Sequence, residues 1–366
     1  MEKKLKYKQR KCESCGSNLI YSPSLDALYC KNCGNHYDIE NSKEFEKHDF
    51  DDKLTTKKEV KEWSELNKVM QCKNCGAQII LDKLEFAKEC QYCGSPVVSE
   101  IDELPGIKPD AVIPFKFDGV EAVKKFKVGV RKKWFLPNDF KKNLPKSEMV
   151  GTYIPCFGFD TNTNSSYSGI FAYTVSYRDS DGHRQTREET KFVSGTHQQN
   201  FLNLLIESSA HINDMDLTDI KPYNMNEARK FNQDYLKGYT VEHYQDDVNV
   251  CFDLAKAKIT SQIKSRLPSK HGCTRIVSIN LHTNYDAKKY CYYLLPTYNF
   301  MYKYKDKSYN TLMNGQTGKV GSNVPRSKVK ITLFVLMLVL IFLGIIALAY
   351  FFGDTPETEV SDFTNF

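Results

Sequence analysis

The sequence predicts an α+β protein: two small N-terminal zinc ribbons, a mixed, mainly antiparallel α+β domain, and one C-terminal transmembrane helix. Three observations carry this prediction. Eight cysteines near the start form two identically spaced quartets, the middle of the chain switches between strand-like and helix-like hydrophobic periods, and an uncharged run extends from Ile331 to Phe352.

The ribbons come first, over residues 1–40 and 71–104. Cys12-Glu-Ser-Cys15-Gly16 is followed by Cys30-Lys-Asn-Cys33-Gly34, and Cys72-Lys-Asn-Cys75-Gly76 by Cys90-Gln-Tyr-Cys93-Gly94. Each unit has two C-x2-C-G knuckles separated by 13 residues, so the region is internally duplicated. Two cysteines separated by two residues turn both thiolates toward one ion, and a second knuckle at the end of a hairpin completes a tetrahedron. The glycine after each second cysteine suits a backbone that curls tightly around the metal. Leu19-Ile20 and Ile79-Ile80 occupy matching places as the first hairpin strand.

The repeated spacing favours one ion per unit over ligands shared crosswise between units. Candidate ligands are Cys12, Cys15, Cys30 and Cys33 for one ion and Cys72, Cys75, Cys90 and Cys93 for the other. Two structural zinc ions are expected, with rubredoxin-like iron as the alternative. Four thiolates leave no open position for catalysis. His36, three residues beyond Cys33, is an alternative ligand or a solvent-facing strand residue. Twelve cysteines without an apolar leader near Met1 point to a reducing compartment and to metal rather than disulfides.

Charge limits the function classes. The net charge is +6, but residues 1–104 carry 17 Lys+Arg against 19 Asp+Glu, and each thiolate-clasped zinc would add a further net −2. Phosphate binding rests on cationic contacts, so nucleic-acid binding by the ribbons is the alternative rather than the leading expectation. Its support is the basic start, Lys3 to Lys11, which reads first as a solvated terminus and only then as a segment for nucleic acid or acidic lipid headgroups.

Residues 41–70 read as a charged linker with a short amphipathic helix on Val60, Trp63, Leu66 (or Asn67) and Met70. Pro105, Gly106 and Pro109 then open a basic domain over residues 105–325. Val112–Phe117 reads as a strand, with Asp118 capping a helix from about Val120 that carries Val123, Phe126, Val130 and Trp134 on one face and lysines around the rest. Tyr153–Phe159 starts a strand region, and Ala172–Arg178, Asp179-Ser-Asp-Gly182 and the run to Val193 form a hairpin. Asn203–Ile206 is a further short apolar segment. Residues 247–267 read as a helix, Ile276–Ile279 and Tyr290–Leu295 as strands, and Asn299–Tyr304 with Ser308–Asn314 as a last hairpin. Leu294–Phe300 echoes Tyr153–Phe159 when aligned on Pro296 and Pro155, which fits either related halves or strand-starting prolines.

No catalytic motif emerges. Asn314-Gly-Gln-Thr-Gly-Lys319 resembles a phosphate loop, but its first glycine position is Met313 and its hydroxyl position is Val320, so it reads as a turn between strands. Cys156, Cys251, Cys273 and Cys291 lack paired spacing and read as buried thiols. The His271-Gly-Cys273 pair is weak as a ligand set. A non-enzyme is expected.

The C-terminal run closes the chain. Its 22 residues include 16 Leu, Ile, Val or Phe and span roughly 33 Å as a helix, enough for a bilayer core. Arg326, Lys328 and Lys330 precede it, and Asp354, Glu357, Glu359 and Asp362 follow in an acidic tail over residues 353–366. Positive flanks stay inside, so a single-pass cell-membrane protein with cytoplasmic N-terminal domains is expected.

The duplicated ribbons, the run Gly238-Tyr239-Thr-Val-Glu242-His-Tyr244, Leu295-Pro-Thr-Tyr298 with Asn314–Val320, and the single anchor occur together. In that combination the chain resembles a family of bacterial membrane proteins labelled as containing a transcription-factor-IIB-type zinc ribbon. The resemblance implies work beside phage-shock-protein-A-like and flotillin-like envelope-stress proteins. Some members carry a primosomal-helicase label that rests on the cysteine knuckles. The resemblance implies no catalytic residues; only the eight cysteines transfer, as metal ligands. The expected function is therefore a non-catalytic adaptor that recruits proteins to the cytoplasmic face of the membrane.

Overall fold

A long, mainly antiparallel sheet dominates the computed structural model, which describes residues 11–51, 67–82, 90, 95, 98–101, 107–142, 144, 149, 151–209, 212, 214–305 and 307–352. The first cysteine unit forms its own three-stranded sheet from β1 (Leu19–Ser22), β2 (Ala27–Cys30) and β3 (His36–Asp38). The chain then lays β4 (His48–Asp49) against the main sheet beside Lys289 and Tyr290. Phe50 is buried there, with its ring 4.4 Å from that of Phe252 and 6.2 Å from that of Phe159. The described part of the charged stretch, residues 41–51, is therefore held on the sheet by an aromatic side chain.

The second unit contributes β5 (Asn67–Cys72), β6 (Gln78–Asp82) and β7 (Val98–Ile101). Asn67 to Met70 thus lie in a strand, which corrects the helical reading at that end. Val60, Trp63 and Leu66 fall outside the described residues. The strand wins because Val69 and Met70 are buried in consecutive positions while paired to Ile80 and Ile79, which a one-sided surface helix would not need. The main sheet continues with β8, limited to Ala111–Val112 rather than the expected run to Phe117. Pro114 has no N–H to give a ladder, and the chain turns at Lys116, whose N–H donates to Gly315 O.

Helix α1 (Gly119–Arg131) starts where expected, with the Asp118 carboxylate accepting from Glu121 N–H at 2.8 Å. It buries Ala122, Val123, Phe126 and Val130, and a short α2 (Asn138–Lys142) follows. Trp134 lies beyond the helix end and does not join that buried face.

Three strands of unusual length form the body: β9 (Gly151–Arg178), β10 (Arg184–Glu207) and, later, a 30-residue partner. Between them come α3 (Asp214–Ile220), β11 (Arg229–Lys230), β12 (Thr240–Glu242) and α4 (Val248–His271). Then follow that partner, β13 (Arg275–Tyr304), β14 (Lys307–Asn314) and α5 (Lys328–Phe352). β9 is central, antiparallel to both β10 and β13. The segments that looked separate in sequence (Tyr153–Phe159 and Ala172–Arg178; Ile276–Ile279 and Tyr290–Leu295) are parts of the same strands, and Asn203–Ile206 ends β10.

Burial explains why the strands looked broken. Residues 151–159 are buried on both faces: Tyr153, Phe157 and Phe159 join one core cluster with α1 and the start of α4, while Ile154 and Cys156 join another with Leu217 and Ile220 of α3. Such strands read as continuous apolar runs. Beyond Asp160 only one face is covered, so the pattern alternates. Thr161, Thr163, Ser165, Tyr167 and Phe171 are buried, while Asn162, Asn164 and Ser166 are exposed. The cover is α4, whose Ile259, Ile263 and Leu267 pack near Phe201, Tyr167 and Phe171. Its 24 residues give about 36 Å of helix, close to the roughly 40 Å of strand from Phe159 to Phe171.

Bulges mark the change of environment. β10 slips between Phe201 and Leu204 and β13 between Asp286 and Lys289, on either side of Asp160. The Asp160 carboxylate accepts from Asn203 N–H at 2.7 Å and from Lys47 Nζ at 2.5 Å. Asp160→Ala removes both partnerships from a mostly buried site. It is expected to cost about 1.5–3 kcal/mol in equilibrium denaturation, with amide exchange rising first around Asn203 and Ala287.

The Pro155 and Pro296 segments are direct neighbours, with Leu294 opposite Pro155 and Pro296 opposite Tyr153. Asn314–Lys319 is the expected turn. Asn314 Oδ1 accepts from Gln316 and Thr317 N–H, and Gly318 N–H donates to Asn314 O.

Candidate metal centres

Every described knuckle repeats one backbone device. Cys12 N–H donates to Ser17 O and Gly16 N–H to Cys12 O; Cys30 with Asn35 and Gly34, and Cys72 with Ala77 and Gly76, do the same at 2.8–2.9 Å. Cys90 N–H likewise donates to Ser95 O at 2.8 Å. Gly16, Gly34 and Gly76 have φ of +72°, +83° and +78°, a left-handed conformation that favours glycine. The C-x2-C-G spacing is therefore a backbone requirement as well as a ligand spacing.

The turns aim sulfur at sulfur. Cys12, Cys15, Cys30 and Cys33 form one cluster with all ligand atoms within 4.8 Å of one another, and Cys72, Cys75 and Cys90 form a second. Cys93, the expected fourth ligand there, lies outside the described residues. Cys12 and Cys33 sulfurs are 3.3 Å apart, Cys15 and Cys30 3.5 Å, Cys75 and Cys90 3.6 Å. Four sulfurs at about 2.3 Å from one zinc would be about 3.8 Å apart. The observed separations are close to that edge and far beyond a disulfide bond. The donor set fits a thiolate-bound metal ion at each cluster.

Burial is asymmetric. Cys12, Cys30, Cys72 and Cys90 are buried, whereas Cys15 and Cys33 face solvent and Cys75 is intermediate. Hydrogen bonds from the Ser17 hydroxyl and amide bring the Cys15 thiol down to about 5. The Asn35 amide pulls Cys33 down as well, but sharing protons with Cys12, together with burial and the other sulfurs, outweighs it and pushes Cys33 up to about 12. Four thiols this close cannot all shed protons without a cation between them, a role that a bound dication would fill.

Sequence reasoning missed the groups around the first cluster. Tyr37 Oη accepts from Glu13 N–H at 3.0 Å and stands 3.4 Å from Cys12 Sγ, placed to donate to it. Asn35 Nδ2 donates to Ser14 Oγ at 2.6 Å, which ties the two knuckles together. Neither residue carries a spacing signal; strand pairing of β2 with β3 brings them in. His36 is exposed on β3 and outside the sulfur cluster.

The units differ in how their strands use the cysteines. In the first, the strand after the first knuckle pairs with the strand before the second, and the latter with the strand after it. In the second, β5, which precedes the first knuckle, pairs with both β6 and β7. β6 then pairs with β12, and β12 runs parallel to β9 at Thr152 and Tyr153. The second cluster therefore sits on a hairpin of the main sheet. The first docks through Tyr21 N–H to Lys237 O at 2.9 Å and an Arg229–Asp26 ion pair at 2.7 Å.

The distinctive run at residues 238–244 is the joint between these parts. Tyr239 stacks on Phe115 at 4.2 Å, and His243 N–H donates to Gln78 O. The fully buried Glu242 accepts from Ser209 Oγ at 2.8 and 2.9 Å. Its residues hold the fold together rather than lining an open cavity.

Outside the clusters, Cys156, Cys251 and Cys291 are buried as expected, whereas Cys273, also read as a buried thiol, is not. Burial pushes Cys251 up to about 12 and raises Cys156 and Cys291 further. Cys273 is half-exposed; His271 is engaged with the Tyr167 hydroxyl at 2.7 Å and does not meet it in a metal cluster. The metal-loaded protein is expected to present Cys273 as its fastest-reacting thiol in a reagent titration at pH 8, with the cluster thiols appearing only after a chelator is added and Cys156, Cys251 and Cys291 only on unfolding. Asp179, Asp181 and His183 also approach one another, but Asp179 Oδ1 serves as the cap of the β9–β10 turn, accepting from Asp181 and His183 N–H.

Fold and clusters together define a class: a sheet-rich α+β protein with a cysteine-rich, metal-competent N-terminal region and one C-terminal helix long and apolar enough to cross a membrane, none of it buried within the protein. The chain is 30% identical over 326 residues to the "Uncharacterized protein YdjG" of Bacillus subtilis (strain 168), covering 88% of this chain and 91% of that protein. It belongs to the same family as that protein. No family model matches the chain, and no solved structure matches it.

Proposed function

We propose that this protein is a non-catalytic, single-pass membrane adaptor whose two zinc-ribbon units, of the transcription-factor-IIB type, are structural and whose folded part recruits proteins at the cytoplasmic face. The observation that carries the reading is the pairing of metal-competent knuckles with α5, whose apolar span is not buried within the protein. Four-sulfur clasps offer no open coordination position, which supports a structural use of zinc. Arg326, Lys328 and Lys330 before the span, against four carboxylates after it, support the cytoplasmic orientation. The exposed, mostly polar face of the arm formed by β9, β10 and β13, which also shows the paired Ile170 and Phe192, offers an extended surface for a partner.

By its resemblance to the ribbon-containing bacterial membrane family, the partners are phage-shock-protein-A-like or flotillin-like envelope-stress proteins. Affinity capture of the full-length protein from crosslinked, detergent-solubilised membranes tests this. Enrichment of such proteins by the native chain, and its loss when residues 161–201 are shortened in register, is the expected result. Recovery of lipids and chaperones alone would remove the adaptor reading.

A further inference from the structure

The corner that follows α1 is fastened to the first turns of α5. Ser327 N–H donates to Phe135 O at 2.7 Å, and Lys330 Nζ donates to Leu136 O and to Asn138 Oδ1, both at 2.8 Å. The Phe334 ring lies 5.5 Å from that of Phe135 and 6.2 Å from that of Trp134. Phe334 is three residues inside the uncharged run, so it sits about 4.5 Å along the helix from Ile331. Trp134 and Phe135 are therefore level with the start of the apolar segment.

Trp134 is 71% exposed in water, a poor setting for an indole. At the boundary between lipid chains and headgroups its apolar ring and N–H donor are both satisfied. Cations share this rim. Arg131 and Lys132 are exposed on the chain leading to it, Lys133 lies within electrostatic reach of Arg326, and Lys328 opens the helix. Two carboxylates lie nearby: Asp139 accepts from the Tyr304 hydroxyl, and Asp219 accepts from Ser322 N–H and offsets part of the Lys133 charge.

We propose that residues 131–135 form a second membrane contact beside the helix, in which Trp134 and Phe135 enter the headgroup layer and the surrounding cations bind anionic phospholipid headgroups. This rests on α5 spanning the membrane. A single helix leaves the folded part free to tilt, whereas two contacts fix the angle at which the long arm leaves the bilayer.

The test uses the full-length protein in vesicles of phosphatidylcholine with phosphatidylglycerol. Carbonate extraction first reports whether the helix is inserted. Lipids brominated near the headgroup end of their chains then quench tryptophan fluorescence, with Trp134→Phe giving the background from Trp63. Spin-labelled phosphatidylglycerol and phosphatidylcholine compare lipid preference in the native chain and in Arg131→Gln/Lys132→Gln/Lys133→Gln. The expected result is carbonate resistance, quenching that largely disappears in Trp134→Phe, and a phosphatidylglycerol preference that falls at least about fivefold in the triple variant. A carbonate-resistant protein with equal quenching in Trp134→Phe, or with an unchanged lipid preference in the triple variant, overturns the second contact while leaving the helix inserted. Release by carbonate overturns the membrane-spanning reading and the second contact with it.

Discussion

Cys72→Ser is expected to cut the bound metal from two ions per chain to one and to loosen the main sheet at its β6–β12–β9 junction. Structural zinc in small cysteine modules contributes roughly 10–16 kcal/mol of apparent binding energy, comparable with the whole stability of a domain. Cys72 begins the knuckle closed by Gly76 N–H to Cys72 O, and β6 leaves that knuckle to pair with Val241 and Glu242. Loss of the ion should therefore reach Thr152 and Tyr153 through two layers of backbone pairing. Cys15→Ser provides the contrast. It should also release one ion, but its unit forms a separate sheet that meets the rest through side-chain packing, as of Tyr21 on Tyr235 and Tyr239, rather than through the β6–β12–β9 ladder, so the junction should stay closed. Metal analysis by mass spectrometry with hydrogen exchange at residues 152–153 and 240–242 distinguishes the two variants. Equal exchange in both would mean that the second cluster does not brace the sheet.

The second large effect is expected from Phe115→Ala. Phe115 is fully buried, stacked on Tyr239 at 4.2 Å and edge-on to Tyr153 and Tyr298, each at 4.9 Å. Truncating a buried aromatic ring costs about 3–5 kcal/mol, since the transfer energy and the remaining cavity add. Here the cavity would open between the 238–244 run and two central strands, where collapse is opposed by neighbouring rings. Gly315 lies against the same ring: a Cβ there would come within 2.6 Å of Phe115 and 2.9 Å of Pro296. Gly315→Ala alone is expected to cost about 1–3 kcal/mol from overpacking. In the Phe115→Ala background most of that penalty should vanish, because only the Pro296 contact remains. A denaturant double-mutant cycle should show a coupling of about 1 kcal/mol or more. Additive effects would mean that the Pro296 contact, rather than the ring, sets the cost at Gly315.

Several features were legible in the sequence because each depends on neighbouring residues. The knuckles follow from C-x2-C-G, since a left-handed glycine and an amide-to-carbonyl bond close within one turn. α1 follows from its cap, Asp118, and both α1 and α4 from apolar residues at helical spacing, although α4 runs four residues past the expected end at 267, to His271 before a left-handed Gly272. The C-terminal helix follows from an uninterrupted apolar run.

Only the tertiary structure decided the rest. The three long strands were read in pieces because their sequence pattern changes at Asp160, where burial on two faces gives way to burial on one. The docking of residues 41–51, the junction at β12, and the approach of Tyr37 to Cys12 all bring together residues far apart in the chain. Local sequence determined how each knuckle, cap and apolar run folds, because those energies are set within a few residues. Which strand accepts which neighbour was decided by cross-sheet packing, a sum that includes residues more than a hundred positions apart, as in β9 with β13, and that no single stretch of the chain encodes.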